Sequence, residues 1–239
     1  MDNLFGDLRL GHLRLAPRGT RRRTRATAFQ AAAEYTGRWG WAVATGRAPG
    51  GARPAVRSGP PTGCPCGAAR CAAPGLHPAT GAEPPTGSAP RPLAGARGAE
   101  GAVLFPTGRA FDALDVPEQA GLQALVRLER MGTQVGPVLA APTGRLQFLV
   151  AAGTARMLPD LLYRMGWDDA ELDLACHGEG SYVAAPPTVL EGLGPVRWLR
   201  RPTRDNASCP PEARLLLGTL AYACHRSRER SAEPAWIAS

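Results

Sequence analysis

Lysine is absent from this chain of 239 residues, and all 28 basic residues are arginine. Isoleucine occurs once, at Ile237, and aromatic residues make up only 6%. Glycine, proline and alanine, with 29, 24 and 42 residues, are correspondingly abundant. Very GC-rich coding sequence produces this pattern, so the excess reads as mutational bias before it reads as physics. No apolar run reaches the roughly 18 residues that a membrane span needs. The N-terminal segment, with Asp2, Asp7 and an arginine-dense stretch from Arg18 to Arg25, lacks the apolar core of a secretory signal. Glycine has no period of three, which excludes a collagen-like chain. The expectation is a soluble, cytoplasmic protein of one ordinary domain with at most a small appendage.

The net charge of +8 is unevenly spread. Residues 1–30 carry +5, residues 31–100 carry +4, residues 101–196 carry −5 and residues 197–239 carry +4. A basic envelope around an acidic middle suits a protein that holds polyanions while concentrating carboxylates in one place. The alternative is a solvated Arg-rich surface with a disordered basic arm, and charge alone favours it, because GC bias supplies arginine without selection for binding.

Residues 1–26 read as a flexible basic arm, 27–230 as the folded domain and 231–239 as a tail. Thr27 to Trp41 predicts a helix ending near Gly37 or Gly40, followed by a short strand through Trp41–Ala44. Residues 46–100 hold 11 Gly and 11 Pro and read as a long loop insertion. From residue 101 the texture becomes that of a core. Strands are expected at Val103–Phe105 and Ala110–Val116, then a helix from Pro117 through Met131 with Leu122, Leu125, Val126 and Leu128 as its apolar residues. Val135–Ala141 and Arg145–Ala151 predict paired strands around the Pro142-Thr143-Gly144 turn. A short helix is expected at Leu158–Met165, and strands at Glu171–Ala175 and Ser181–Ala185. A last helix runs from Pro210-Pro211 through Arg228, capped by Ser208, with Leu216, Leu217, Leu220, Ala223 and Cys224 on its apolar face. Helices and strands alternate without a clean βαβ repeat, so the fold class is α+β with a mostly antiparallel or mixed sheet.

Three of the six cysteines fall in Gly63-Cys64-Pro65-Cys66-Gly67-Ala68-Ala69-Arg70-Cys71, and His77 follows in Pro74-Gly75-Leu76-His77-Pro78. Cys64, Cys66, Cys71 and His77 have spacings that let four soft ligands close on one structural Zn²⁺. A Cys64–Cys66 redox pair and free reduced thiols are the alternatives. Cys176, Cys209 and Cys224 are isolated and read as packing residues.

Asp112 and Asp115 sit in the apolar run Phe111–Val116, and Asp173 lies in Leu172-Asp173-Leu174 ahead of Gly178-Glu179-Gly180. Three acids on adjacent strands could hold divalent ions for phosphoryl transfer, while acids at strand ends are usually surface or capping residues. The chain resembles the N-terminal domain of the bifunctional DNA primase/polymerase family, within the archaeo-eukaryotic primase superfamily. The resemblance rests on Ala31–Tyr35 with Gly40-Trp41-Ala42-Val43, on the cysteine segment, on Phe111–Val116, on Gly144-Arg145-Leu146-Gln147-Phe148, and on Asp173-Leu174 with Gly178–Pro187. It implies a primase-polymerase-like sheet flanked by helices with a Cys-rich zinc insertion. It further implies catalytic Mg²⁺ or Mn²⁺ on Asp115 and Asp173, with Asp112 as a further candidate, and a triphosphate contact from Arg145. The implied partners are single-stranded DNA or other nucleic acid and nucleoside triphosphates. No Walker A loop is present, so unwinding would fall to a separate helicase.

The chain also departs from the family pattern. Asp115 is followed by Val116 and Pro117 where the pattern has a second acid; Leu146 stands at its nucleotide-binding histidine, and Ala175 at an arginine two residues after the third-motif acid. Asp112, three residues before Asp115, is expected on the opposite strand face. His177 is a candidate replacement for a lost polar group, set against the solvated fate of most loop histidines. Three readings therefore compete: a metal-dependent template-directed nucleotidyltransferase, a relative that binds nucleic acid or nucleotide without turnover, and a structural or regulatory protein. Asp115 and Asp173 facing each other in a cleft would favour the first; Asp112 turned away, with Leu146 filling the cleft, would favour the second.

Overall fold

A computed structural model describes residues 18–47, 101–190 and 193–232. The cysteine set Cys64, Cys66, Cys71 and His77 lies outside the described residues. In chain order the elements are α1 (Arg18–Trp39), β1 (Ala44–Arg47), β2 (Gly101–Pro106), β3 (Asp112–Pro117), α2 (Glu118–Arg130), β4 (Val138–Ala141) and β5 (Arg145–Val150). There follow α3 (Thr154–Arg164), β6 (Ala175–His177), β7 (Tyr182–Ala185), β8 (Val189–Leu190), β9 (Gly194–Pro195), β10 (Arg197–Arg200), α4 (Arg204–Ala207) and α5 (Arg214–Ala232). The class is α+β, and every strand pairing among the described residues is antiparallel.

A five-stranded sheet in the order β10-β4-β5-β3-β6 forms the centre, beside a three-stranded sheet β1-β2-β7 and a β8-β9 ribbon. On β3 and β5 the even-numbered residues Leu114, Val116, Leu146, Phe148 and Val150 are fully buried against the helices α2 and α5. The expected α5 face, Leu216, Leu217, Leu220, Ala223 and Cys224, is buried in this core. On α2 the buried stripe is Ala120, Gly121, Ala124, Leu125 and Leu128. Leu122 and Val126, expected inside, are 40% and 48% exposed, because the 3.6-residue turn that buries 121, 125 and 128 carries 122 and 126 to the outer side. Gly121 lets α2 lie close on the sheet, since a Cβ there would come within 2.8 Å of Leu146 Cδ1 and 3.0 Å of Val116 Cγ2.

The second core lies on the other side of the sheet, where α1 and the three-stranded sheet meet Ala113, Leu139 and Leu149. Its centre is aromatic: Tyr35, Trp41, Phe105, Phe111 and Trp198 pack mostly edge-to-face or tilted, with Tyr35 and Trp41 stacked and Trp41 and Phe111 centroids 5.0 Å apart. Their polar handles are satisfied. Trp41 Nε1 donates to the Ala207 carbonyl at 3.1 Å, Trp198 Nε1 to Tyr35 Oη at 3.1 Å, and Tyr35 Oη to the Pro186 carbonyl at 2.9 Å. Trp41 and Trp198, distant in sequence, thus join in one cluster.

Several boundaries differ from the sequence expectation. Helix α1 reaches back to Arg18, and its following strand begins at Ala44 rather than Trp41, whose ring is committed to the core. Helix α3 starts at Thr154 behind Gly153, whose φ of 90° supplies the left-handed turn. Thr203 caps the short α4 through a reciprocal capping box with Asn206, while Ser208 closes the C-terminal end of that helix; α5 begins only at Arg214. The strand expected at Glu171–Ala175 is displaced to Ala175–His177, which moves Asp173 off the strand.

Candidate functional site

Period-two alternation on β3 and β5 decides which side chains meet. Asp115 pairs in register with Gln147 of β5 and with Ala175 of β6, and Pro117 pairs with Arg145. Odd-numbered residues of these strands therefore share one face. Along that face the apolar Ala113 and Leu149 run under the aromatic core, and two residues further the lining becomes Asp115, Gln147 and Arg145.

Asp115 is the hub, with a side chain only 10% exposed. Its Oδ1 accepts from Arg145 Nε at 2.5 Å, and its Oδ2 accepts from Gln147 Nε2 at 2.9 Å and meets His177 Nε2 at 3.1 Å. Arg145 also donates from Nη2 to the Asp115 carbonyl at 3.2 Å and from Nη1 to Asp173 Oδ1 at 2.6 Å. Asp173 itself is 62% exposed, in the bend before β6. Burial pushes the Asp115 carboxyl upward, but the hydrogen bonds from His177, Gln147 and Arg145, with the Arg145 charge, outweigh it and hold the group below the ordinary carboxylate range. Burial works against the Arg145 charge, and the bonds to Asp173 and Asp115 more than offset it, so its pKa is raised.

Asp112 lies on the opposite face, as its offset of three from Asp115 requires, and is 1% exposed. Its Oδ2 accepts from the backbone N–H of Ala155 in the first turn of α3 at 2.8 Å, while its Oδ1 has no partner among the described residues. Beside it, burial and the Asp112 charge push the Cys176 thiol up to about 12. Cys224 is likewise pushed up to about 12, by burial and then by Asp173, and Cys209 is exposed. Leu146, where the resemblance leads one to expect a nucleotide-binding histidine, is fully buried against α2 and faces away from Asp115, so it does not fill the site. The structure therefore joins Asp115, Asp173 and Arg145 and leaves Asp112 apart.

Gln147 and His177 complete the site. Gln147 was legible from period two once Arg145 was placed, because residues i and i+2 of a strand share a face. His177, a candidate replacement for a lost polar group on sequence, is carried to Asp115 by β6 at Ala175–His177 rather than left in a solvated loop. The turn that presents it is fixed by Thr107, whose Oγ1 donates to the Gly178 carbonyl at 2.5 Å and whose N–H donates to the Ser181 carbonyl at 3.0 Å. Gly108, with φ 93°, lets the β2–β3 loop lie directly on Glu179, where a Cβ would overlap backbone.

A family model described as bifunctional DNA primase/polymerase, N-terminal, matches residues 32–212. The chain belongs to this family. No curated protein and no solved structure matches it. The match runs from within α1 to the residues before α5, so it includes every described strand and all five side chains of the site.

DNA primase/polymerases generally use divalent metal ions for nucleotidyl transfer. The residues of this primase/polymerase domain do not fit such an ion pair. Both Asp115 oxygens are taken by protein donors, and the point between Asp115 and Asp173 is filled by a guanidinium. No group of three or more His, Cys, Asp or Glu side chains placed to hold a metal occurs among the described residues. None of the described helices is long and apolar enough to cross a membrane.

Proposed function

We propose that this chain is a primase/polymerase relative that binds single-stranded nucleic acid without turning nucleotides over. The observation that supports the reading is the Asp115–Arg145–Asp173 ion-pair network. Arg145 directs three of its five N–H groups at aspartate oxygens, so most of the donors that a triphosphate would use are engaged. Two carboxylates and one guanidinium carry an excess negative charge, which repels a phosphate group. Attraction for phosphate resides in the arginines elsewhere, including exposed Arg197 on β10, Arg204 on α4 and Arg201 between the two elements. In this reading a guanidinium of the chain itself occupies the point where the family's site would hold a cation.

Template-directed nucleotidyl transfer, the chemistry of the family, is the second reading. One feature favours it: Asp115 and Asp173 converge on a single guanidinium and so on a single point. Nucleotide incorporation on primed and unprimed single-stranded templates with Mn²⁺ separates the two, with Asp115→Ala and Asp173→Ala beside the wild type. The expected result is no incorporation together with template binding by fluorescence anisotropy. Incorporation that both substitutions abolish would establish the second reading. Cys64, Cys66, Cys71 and His77 enter the proposal as a structural zinc set on their spacing. Reduced protein is expected to carry about one equivalent of zinc, lost in Cys64→Ser and Cys66→Ser; metal analysis of each tests this.

A further inference from the structure

Behind the sheet, on the side away from Asp115, α2 and α5 enclose a half-open groove of about 270 Å³. Tyr222, Arg226 and Arg230 lie on one stripe of α5 at successive steps of four residues, and Gln123 and Arg127 form the facing stripe of α2. From Tyr222 to Arg230 the stripe is about 12 Å long at 1.5 Å per residue. That is the length of three to four stacked nucleotides at about 3.4 Å each.

The chemistry of the walls is one-sided. Three guanidiniums line the groove and no carboxylate does. Arg226 pairs with Glu229 at 3.1 Å, both about half exposed, while Arg127 and Arg230 have no carboxylate partner among the described residues. Arg230 is instead oriented across the groove: Nη2 donates to Gln123 Oε1 at 3.0 Å and Nε to the Arg226 carbonyl at 3.3 Å. Its other N–H groups find no protein acceptor among the described residues. Tyr222 is 46% exposed, and the Arg127 guanidinium sits 5.4 Å from its ring centroid. A ring flanked by arginines along an open channel combines the two elements that hold a flexible strand: a stacking surface and a line of phosphate donors.

We infer that the α2–α5 groove is a binding site for single-stranded nucleic acid, with phosphates on Arg226, Arg230 and Arg127 and a base stacked on Tyr222. The site rests on the proposed binding function and places it on the opposite side of the sheet from the family's catalytic positions. Half-open geometry favours a strand passing along the helices over a small molecule enclosed between them.

The test is fluorescence anisotropy of a labelled oligothymidylate with the full chain at several salt concentrations. Arg226→Ala/Arg230→Ala is expected to weaken binding at least tenfold and to reduce the log–log salt slope by about 1.4, at about 0.7 per lost phosphate contact. The control Arg156→Ala/Arg164→Ala removes the same charge from exposed positions on α3 and is expected to change affinity less than about twofold. Tyr222→Ala weakens binding about tenfold and Tyr222→Phe restores it, as stacking requires. Unchanged melting temperatures show that these surface variants fold. Equal losses in the two arginine pairs, or none in the groove pair, would overturn the site while leaving the binding function standing. A wild type that binds no oligonucleotide would overturn both. Displacement by an acidic peptide as effective as by unlabelled oligonucleotide would assign the groove to an acidic protein segment instead.

Discussion

The two faces of the five-stranded sheet are built from the same strands, and on β3, β5 and β6 they differ by one residue of register. Even-numbered positions face α2, α3 and α5 and form a continuous apolar surface, interrupted only by Asp112 and Cys176. Odd-numbered positions start apolar at Ala113 and Leu149 and turn polar at Asp115, Gln147 and Arg145 within one pleat. On the first face a side chain is judged by volume and fit, on the second by which charges it can neutralise. One step of register thus gives neighbours opposite tasks: Leu146 packs against α2, whereas Arg145 pairs with Asp115 and Asp173 on the polar face.

The largest effect is expected on the packed face. Phe148→Ala should cost about 3–5 kcal/mol, because a fully buried ring leaves a cavity beneath α2 and α5. Urea denaturation measures it, and a loss below 1 kcal/mol would show that the two faces are not packed differently. Arg145→Ala comes next at about 1–3 kcal/mol, since it leaves a nearly buried carboxylate with only Gln147 and His177 as partners. The same variant should gain Mn²⁺ binding that the wild type lacks, readable by titration calorimetry. If it gains none, the guanidinium is not what keeps a cation out.

Acid should separate the faces as well. Asp115 has a depressed pKa, so its contribution to stability is present above the ordinary carboxylate value of about 3.9 and is lost as pH falls through the lower folded value. Denaturation between pH 6 and pH 2 should therefore show a steeper acid loss in the wild type than in Asp115→Asn; parallel curves would contradict the network. The smallest effect belongs to Asp112→Asn, which retains the oxygen that accepts from Ala155 and should shift stability by less than about 1 kcal/mol. It should leave strand binding unchanged. A large binding loss would return Asp112 to the functional face.

Much of this was legible in the sequence where periodicity was long or pairing was local. The α5 face followed from helical spacing, and the opposite orientations of Asp112 and Asp115 followed from an odd offset on one strand. The outward turn of Leu122 and Val126 was hidden because four large apolar residues and two alanines on a 13-residue helix admit more than one stripe, and Gly121 fixes the choice only through its contact with Leu146. The position of β6 was less legible still. Nothing local distinguishes Glu171–Ala175 from Ala175–His177, since pairing with β3 decides it over a separation of about sixty residues. The convergence of Arg145 on two aspartates depends on that pairing and on no motif.

The aromatic cluster also gives the molecule two separate optical reporters. Trp41 and Trp198 lie 6.3 Å apart beside Tyr35 and Phe105 on the three-stranded side, while Trp167 stands 5.5 Å from the His225 ring on the helical side. Close packing of unlike rings in fixed orientation couples their transitions, so near-ultraviolet circular dichroism follows the first region. The part of the emission lost in Trp167→Phe, taken by difference from the wild type, follows the second. Loosening of either layer of the sheet thus has its own spectral signature, without any added label.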